Sequence, residues 1–239
     1  MDIENLKYYN EYGGFSEDGK EYIIKTNKNN KLPTVWSHVL ANPNFGTVIT
    51  DSMGGYTYYK NSRLNRVTAW SNNPITDVPS EIIYLKDEDL NTFWSVGLNP
   101  SPDDEDYNIR YGMGYAKYSH SSYDINQELE VFVPQKDSVK INILKLRNNS
   151  VTKRNLKLLY YIKPVLSEDE TKSNGYINIE MNKENNVLTF NNLYNTEFKN
   201  CIAYISSSEK ILGFTGDKKK FIGARKFSFT RGIKKYKFR

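Results

Sequence analysis

Apolar and polar residues alternate one by one along much of the second half of the chain, and this period constrains the fold more than any other feature. Ile125, Leu129, Val131 and Val133 alternate with Asn126, Glu128, Glu130 and Phe132. Val139, Ile141 and Ile143 alternate with Lys140 and Asn142, while Leu156, Leu158, Tyr160 and Ile162 fall on one face. Side chains of an extended strand point alternately to its two sides, so a period of two predicts strands that each bury one face. Ile177, Ile179 and Met181 repeat the pattern, and Asn185-Asn186 predicts a turn into Val187 to Phe190 as a hairpin. Earlier, Glu21 to Lys25, Trp36 to Leu40 and Phe45 to Thr50 read as short strands between turn residues. Looser strands are expected near Ile82 to Leu85 and Thr92 to Trp94. No amphipathic helix longer than two turns intervenes. The expected fold is all-β: a large antiparallel sandwich, or supersandwich, with long irregular loops and few or no helices.

Charge and composition narrow the function classes. The net charge of +5 is unevenly spread, because the last 23 residues hold ten Lys or Arg against one Asp and carry +9, leaving −4 on the preceding 216. A basic tail is not the basic face that phosphate backbones require, so no nucleic-acid partner is expected. No apolar run reaches the roughly 20 residues of a membrane span, and the start lacks the pattern of a signal peptide. A cytoplasmic chain with no membrane partner is expected. The lone Cys201 excludes an internal disulfide and reads as a small buried hydrophobe on an alternating stretch.

Chemistry-bearing motifs are sparse. His38 and His120 have no spacing that proposes a dyad with Cys201, and each reads as a polar strand position. Gly112-Met113-Gly114 lacks the third glycine of a phosphate loop and reads as a bulge. The run Asp103 to Asp106 lacks calcium-loop spacing and reads as a solvated loop, so neither metal nor cofactor is expected. Asp51, Asp77, Glu81 and Glu128 are carboxylates that a glycosidase could pair, in no pattern that selects two of them. The segment 54–74 stands out, with Tyr56, Tyr58, Tyr59 and Trp70 among Asn, Arg and Ser. Aromatic faces stack on sugar rings while amides and guanidinium groups bond hydroxyls. The same aromatics read equally well as core, with the Asn residues closing turns.

Several blocks fall in a family's order: Tyr12-Gly13-Gly14-Phe15, Ala41-Asn42-Pro43-Asn44-Phe45-Gly46, Asn61-Ser62-Arg63-Leu64-Asn65-Arg66, Trp70-Ser71-Asn72-Asn73-Pro74 and Tyr111-Gly112-Met113-Gly114-Tyr115. Gln127 to Pro134, Phe214-Thr215-Gly216-Asp217 and Phe221-Ile222-Gly223 continue it. Together they resemble the amino-terminal domain of glycoside hydrolase family 94, formerly glycosyltransferase family 36. Its members include cellobiose and chitobiose phosphorylases and part of the cyclic β-1,2-glucan synthases, which split β-glucosides with phosphate and invert the anomeric centre.

The resemblance implies a β-sandwich domain over residues 1–223. It also implies an (α/α)6 barrel on other polypeptide, carrying the general acid and phosphate site. After Gly223 the chain departs from the family pattern, so 224–239 is expected to be an atypical, poorly ordered basic tail left by truncation. The implied role is a carbohydrate-binding and dimerisation module, not catalytic alone. The rivals are a subunit completed by a separate catalytic chain and a non-functional remnant. The partners implied are a β-linked, cellobiose-like oligosaccharide, a second copy of the chain, or a separate catalytic domain. Asn61, Arg63, Arg66, Trp70 and Asn72, with Arg110, are the residues expected to face sugar or the partner domain.

Overall fold

A computed structural model describes residues 6–168, 170–173 and 175–222. Residues 224–239, expected as a basic tail, lie outside the described residues. The chain divides into two compact units, Met1–Lys172 and Ser173–Arg239.

In the first unit the strands run β1 (Gly13–Phe15), β2 (Glu21–Thr26), β3 (Ser37–Ala41), β4 (Phe45–Thr50), β5 (Gly55–Tyr59), β6 (Arg66–Thr68) and β7 (Glu81–Asp87). They continue as β8 (Thr92–Ser95), β9 (Tyr107–Gly112), β10 (Tyr115–Ser122), β11 (Ile125–Phe132), β12 (Ile141–Asn148), β13 (Leu156–Ile162) and β14 (Pro164–Ser167). All pairings are antiparallel and form three sheets, ordered β1-β2-β9-β10-β11-β12, β14-β6-β5-β4-β3 and β13-β7-β8. A one-turn helix, α1 (Glu170–Ser173), follows. The all-β expectation stands.

Alternation is clearest in β11, where Ile125, Gln127, Leu129 and Val131 are buried and the residues between them are not. Ile125, Leu129 and Val131 join Ile24, Leu40, Ile49, Leu85, Trp94 and Ile109 in one core drawn from all three sheets. At about 25 cal/mol per Å² of apolar surface removed from water, this shared core is the main force holding the sheets face to face. Polar side chains also cross between sheets. Tyr118 donates its hydroxyl to the Thr50 carbonyl at 2.7 Å, and Tyr111 to the Trp36 carbonyl at 3.0 Å. Trp94 Nε1 donates to Gln127 Oε1 at 2.9 Å, while the Gln127 amide donates to the Val96 carbonyl at 2.9 Å.

Two readings of this unit change, and a third gains detail. Gly112-Met113-Gly114 is not a bulge but the turn of the β9–β10 hairpin: Gly112 pairs with Tyr115, and Gly114 has a positive φ of 87°. The phase of β12 is inverted. Leu144 lies opposite fully buried Leu129, whereas Ile141 and Ile143 lie opposite Phe132 and Glu130 on the outer face. The acidic run is solvent-facing at Asp104 and Glu105, and is tethered as well, with Lys25 on Asp106 at 2.7 Å and Lys28 on Asp104.

The second unit holds β15 (Ile177–Asn182), β16 (Val187–Asn192) and β17 (Ala203–Ser206) in one antiparallel sheet, then α2 (Lys218–Ile222). The Asn185-Asn186 turn forms, with Asn186 at φ 54° and Asn182 Oδ1 accepting the Asn185 N–H at 3.0 Å. Cys201 is half-buried and precedes β17 rather than lying within a strand. Among the described residues, no helix is long and apolar enough to cross a membrane.

Candidate functional site

Five of the six singled-out residues lie on one stretch, 61–72, which closes the β5–β6 hairpin and leaves it. Asn61 builds the turn: its Oδ1 accepts the N–H groups of Arg63 and Leu64 at 2.9 and 2.8 Å. That use of an asparagine oxygen holds the local backbone in place of a helix or ladder bond. Asn65 locks the hairpin's other side, donating to the Tyr59 carbonyl at 3.0 Å with only 2% of its surface exposed.

Above the turn sits an aromatic and cationic stack. Tyr56 and Trp70 lie face to face, ring centroids 4.8 Å apart and planes 22° from parallel. The Arg66 guanidinium lies 5.4 Å from the Tyr56 centroid and 5.6 Å from that of Trp70, within cation–π range of both. Tyr56 is buried and Trp70 half-buried. Burial pushes the Tyr56 hydroxyl above its ordinary pKa, with the Arg66 charge opposing.

Glu168 was not expected in this group. Because β14 pairs with β6, with Ser167 opposite Arg66, Glu168 arrives beside the loop from a hundred residues away. Its carbonyl accepts from Arg66 Nη1 at 3.1 Å, and its carboxylate lies 3.4 Å from Arg63 Nη2. No local pattern in the sequence announces a partner supplied by strand pairing. Arg63 remains 76% exposed and Asn72 is exposed at φ 47°. Beyond Asn72 the loop is pinned by Asp77, whose carboxylate accepts from Thr50 and Ser52.

Arg110 does not join the group. It stands on β9 in the six-stranded sheet, paired with Glu21 at 2.8 Å. Tyr115 donates to the same carboxylate at 2.7 Å, a bond that pushes the phenol up to about 12.

The four carboxylates that could have served hydrolysis are committed elsewhere. Glu81 is enclosed by Thr57, Thr68, Tyr160 and Lys140; burial works against its charge, but Lys140 outweighs it and holds the carboxyl below its usual range. It borders a cavity of about 30 Å³, room for a single water. Asp51 is buried and accepts the Trp36 N–H at 2.9 Å, Asp77 pins its loop, and Glu128 pairs with Lys145 at 3.2 Å.

His120, Ser122 and Asp103 do converge, in the wrong order for a nucleophile. His120 Nε2 faces both Ser122 Oγ at 2.7 Å and Asp103 at 3.0 Å, whereas a triad needs its acid on Nδ1. Nδ1 is occupied by the Asp106 carbonyl at 3.0 Å, and the ring stacks on Tyr107 at 3.7 Å. Burial alone would raise Asp103, yet bonds from His120 and Ser122 leave it below its ordinary pKa. Among the described residues, no group of three or more His, Cys, Asp or Glu converges to hold a metal ion.

The fold and this loop define a class: a multi-sheet antiparallel β domain displaying an aromatic, amide and guanidinium surface. The chain belongs to the glycosyl hydrolase 94 supersandwich domain family, which it matches over residues 20–233. It is 25% identical over 227 residues to the cyclic beta-(1,2)-glucan synthase NdvB of Rhizobium meliloti, a match covering 93% of this chain and 8% of that protein. It is 27% identical over 219 residues to the N,N'-diacetylchitobiose phosphorylase of Vibrio furnissii, and 26% identical over 219 residues to that of Vibrio proteolyticus. Each of those matches covers 89% of this chain and 27% of the relative, so the chain spans about a quarter or less of the proteins it matches.

Proposed function

We propose that this domain binds a β-linked oligosaccharide through the 61–72 loop, and that the same surface serves contact with a catalytic domain or a second copy. In this reading the 239 residues do not catalyse phosphorolysis by themselves. The observation that carries it is the Tyr56–Trp70 stack capped by Arg66 beside exposed Arg63 and Asn72. A half-buried indole can cover the apolar face of a pyranose while guanidinium and amide groups bond its hydroxyls. The relatives' names support the choice of ligand, since one is a β-glucan synthase and two are chitobiose phosphorylases. Commitment of Glu81, Asp51 and Asp77 to internal bonds, with Glu128 in a surface ion pair, supports the non-catalytic part.

Titrating cellobiose and N,N'-diacetylchitobiose into the protein, followed by amide chemical shifts, tests the reading. Millimolar binding that shifts the 61–72 resonances and weakens at least about tenfold in Trp70→Ala is expected, from roughly 1.5 kcal/mol of lost stacking. No shift at saturating sugar overturns the ligand. Release of sugar 1-phosphate from cellobiose and phosphate by the purified chain overturns the non-catalytic part.

A further inference from the structure

A polar hollow lies on the first unit, built by residues apart from the 61–72 loop. It has a volume of about 210 Å³ and is lined by Tyr9, Glu11, Tyr12, Asn30 and the linked trio Lys25, Asn27 and Asp106. Drug-sized ligands fill about 300 Å³ or more, so this hollow holds one small ring.

Its floor is rigid. Asn27 Oδ1 accepts the N–H groups of Asn29 and Asn30 at 2.9 and 2.7 Å, and its amide donates to Asp106 Oδ1 at 2.9 Å. Lys25 holds the other Asp106 oxygen at 2.7 Å. These bonds fix where the donors and acceptors stand before any ligand arrives, which lowers the ordering cost of binding. The aromatic wall is fixed as well: Tyr12 packs edge-on against Trp36 at 6.2 Å, and Tyr9 donates its hydroxyl to the Glu11 carbonyl at 2.9 Å. Three further polar groups are uncommitted. Among the described residues, the Tyr12 hydroxyl, the Asn30 amide and the Glu11 carboxylate have no hydrogen-bond or ion-pair partner.

Charge selects the ligand class. Glu11 and Asp106 against Lys25 leave the hollow with one net negative charge, which opposes phosphate and sugar phosphates. Acceptors and donors in near-equal supply beside two phenol rings suit a neutral polyhydroxylated ring. We infer that this hollow is a separate binding site for one neutral hexopyranose unit, held against Tyr9 and Tyr12 and bonded by Asn30, Glu11 and Asp106. The inference does not depend on the 61–72 loop.

The test titrates glucose, N-acetylglucosamine and inorganic phosphate separately into isotope-labelled protein and follows the Asn30 side-chain amide and the backbone amides of residues 9–12 and 25–30. Expected are saturable millimolar shifts with at least one sugar, none with phosphate, and binding weakened at least about fivefold in Asn30→Ala and in Tyr9→Ala, one lost hydrogen bond or ring contact each. Trp70→Ala should leave these shifts unchanged, which separates this site from the loop. Both substitutions fall on exposed side chains, and the amide spectrum shows directly that each variant is folded. Three results overturn the inference: no sugar-induced shift at these residues, equal shifts in the variants, or saturable shifts with phosphate.

Discussion

Asp87 and Arg154 form an ion pair shut away from water: Arg154 Nε donates to Asp87 Oδ2 at 2.6 Å, with the two side chains 0% and 6% exposed. The other Asp87 oxygen accepts the N–H groups of Asp89 and Leu90, both at 2.8 Å, so one carboxylate shapes the β7–β8 turn and ties it to the chain entering β13. Arg154 also donates to the Tyr123 carbonyl at 3.0 Å. Removing one member strands a buried charge, at a cost of about 3–5 kcal/mol. Arg154→Met and Asp87→Asn should each lower the unfolding free energy by about that amount in urea titrations, and the double substitution should recover part of the loss. A cost below about 1 kcal/mol for either single variant would contradict the buried geometry.

Two glycines separate backbone strain from crowding. Gly114 has φ 87° with nothing within 4 Å of where a Cβ would stand, whereas Gly55 has φ 97° and its Cβ would lie 2.0 Å from the Val48 carbonyl oxygen. Gly114→Ala should cost about 1–2 kcal/mol, the left-handed term alone. Gly55→Ala must also push β5 off β4, so its cost should exceed that of Gly114→Ala by at least about 2 kcal/mol. Equal losses in urea or thermal unfolding would refute the crowding argument.

What the sequence disclosed follows from where apolar residues happen to be needed. β11 is legible because its inward face carries Ile125, Leu129 and Val131 and its outward face carries charge. β5 and β6 are not, because their buried Thr57 and Thr68 serve the Glu81 carboxylate, and threonine in a Tyr-rich segment looks like loop. β12 shows alternation in the wrong phase, since an edge strand can carry Ile141 and Ile143 outward beside Glu130. Within the site, Tyr56 and Trp70 were visible as types but not as a stacked pair, and Glu168 was invisible because only the β14–β6 pairing brings it near.

The Ser122–His120–Asp103 arrangement predicts chemical silence. Ser122 is 1% exposed and shares one imidazole nitrogen with the acid that should have been on the other side of the ring. A fluorophosphonate probe should leave Ser122 unlabelled in the folded protein, as judged by peptide mass spectrometry. Stoichiometric labelling would show a nucleophile that this geometry denies.

Asp51 gives the molecule a pH dependence of definite sign. Burial pushes its carboxyl up to about 6, and the Asp77 charge adds to the effect while the bond from the Trp36 N–H opposes it. In the unfolded chain the same group titrates near 3.9. Between those values the folded protein keeps a proton that the unfolded chain has released. The stabilisation is therefore fully present below about pH 4 and is lost as pH rises through about 6. Two pKa units correspond to about 3 kcal/mol. Asp51→Asn keeps an acceptor for Trp36 and does not titrate. Urea unfolding at pH 4, 5, 6 and 7 should show wild type losing about 3 kcal/mol relative to Asp51→Asn across the series. A difference constant with pH would mean that water reaches Asp51, and with it the Trp36 N–H that Asp51 accepts.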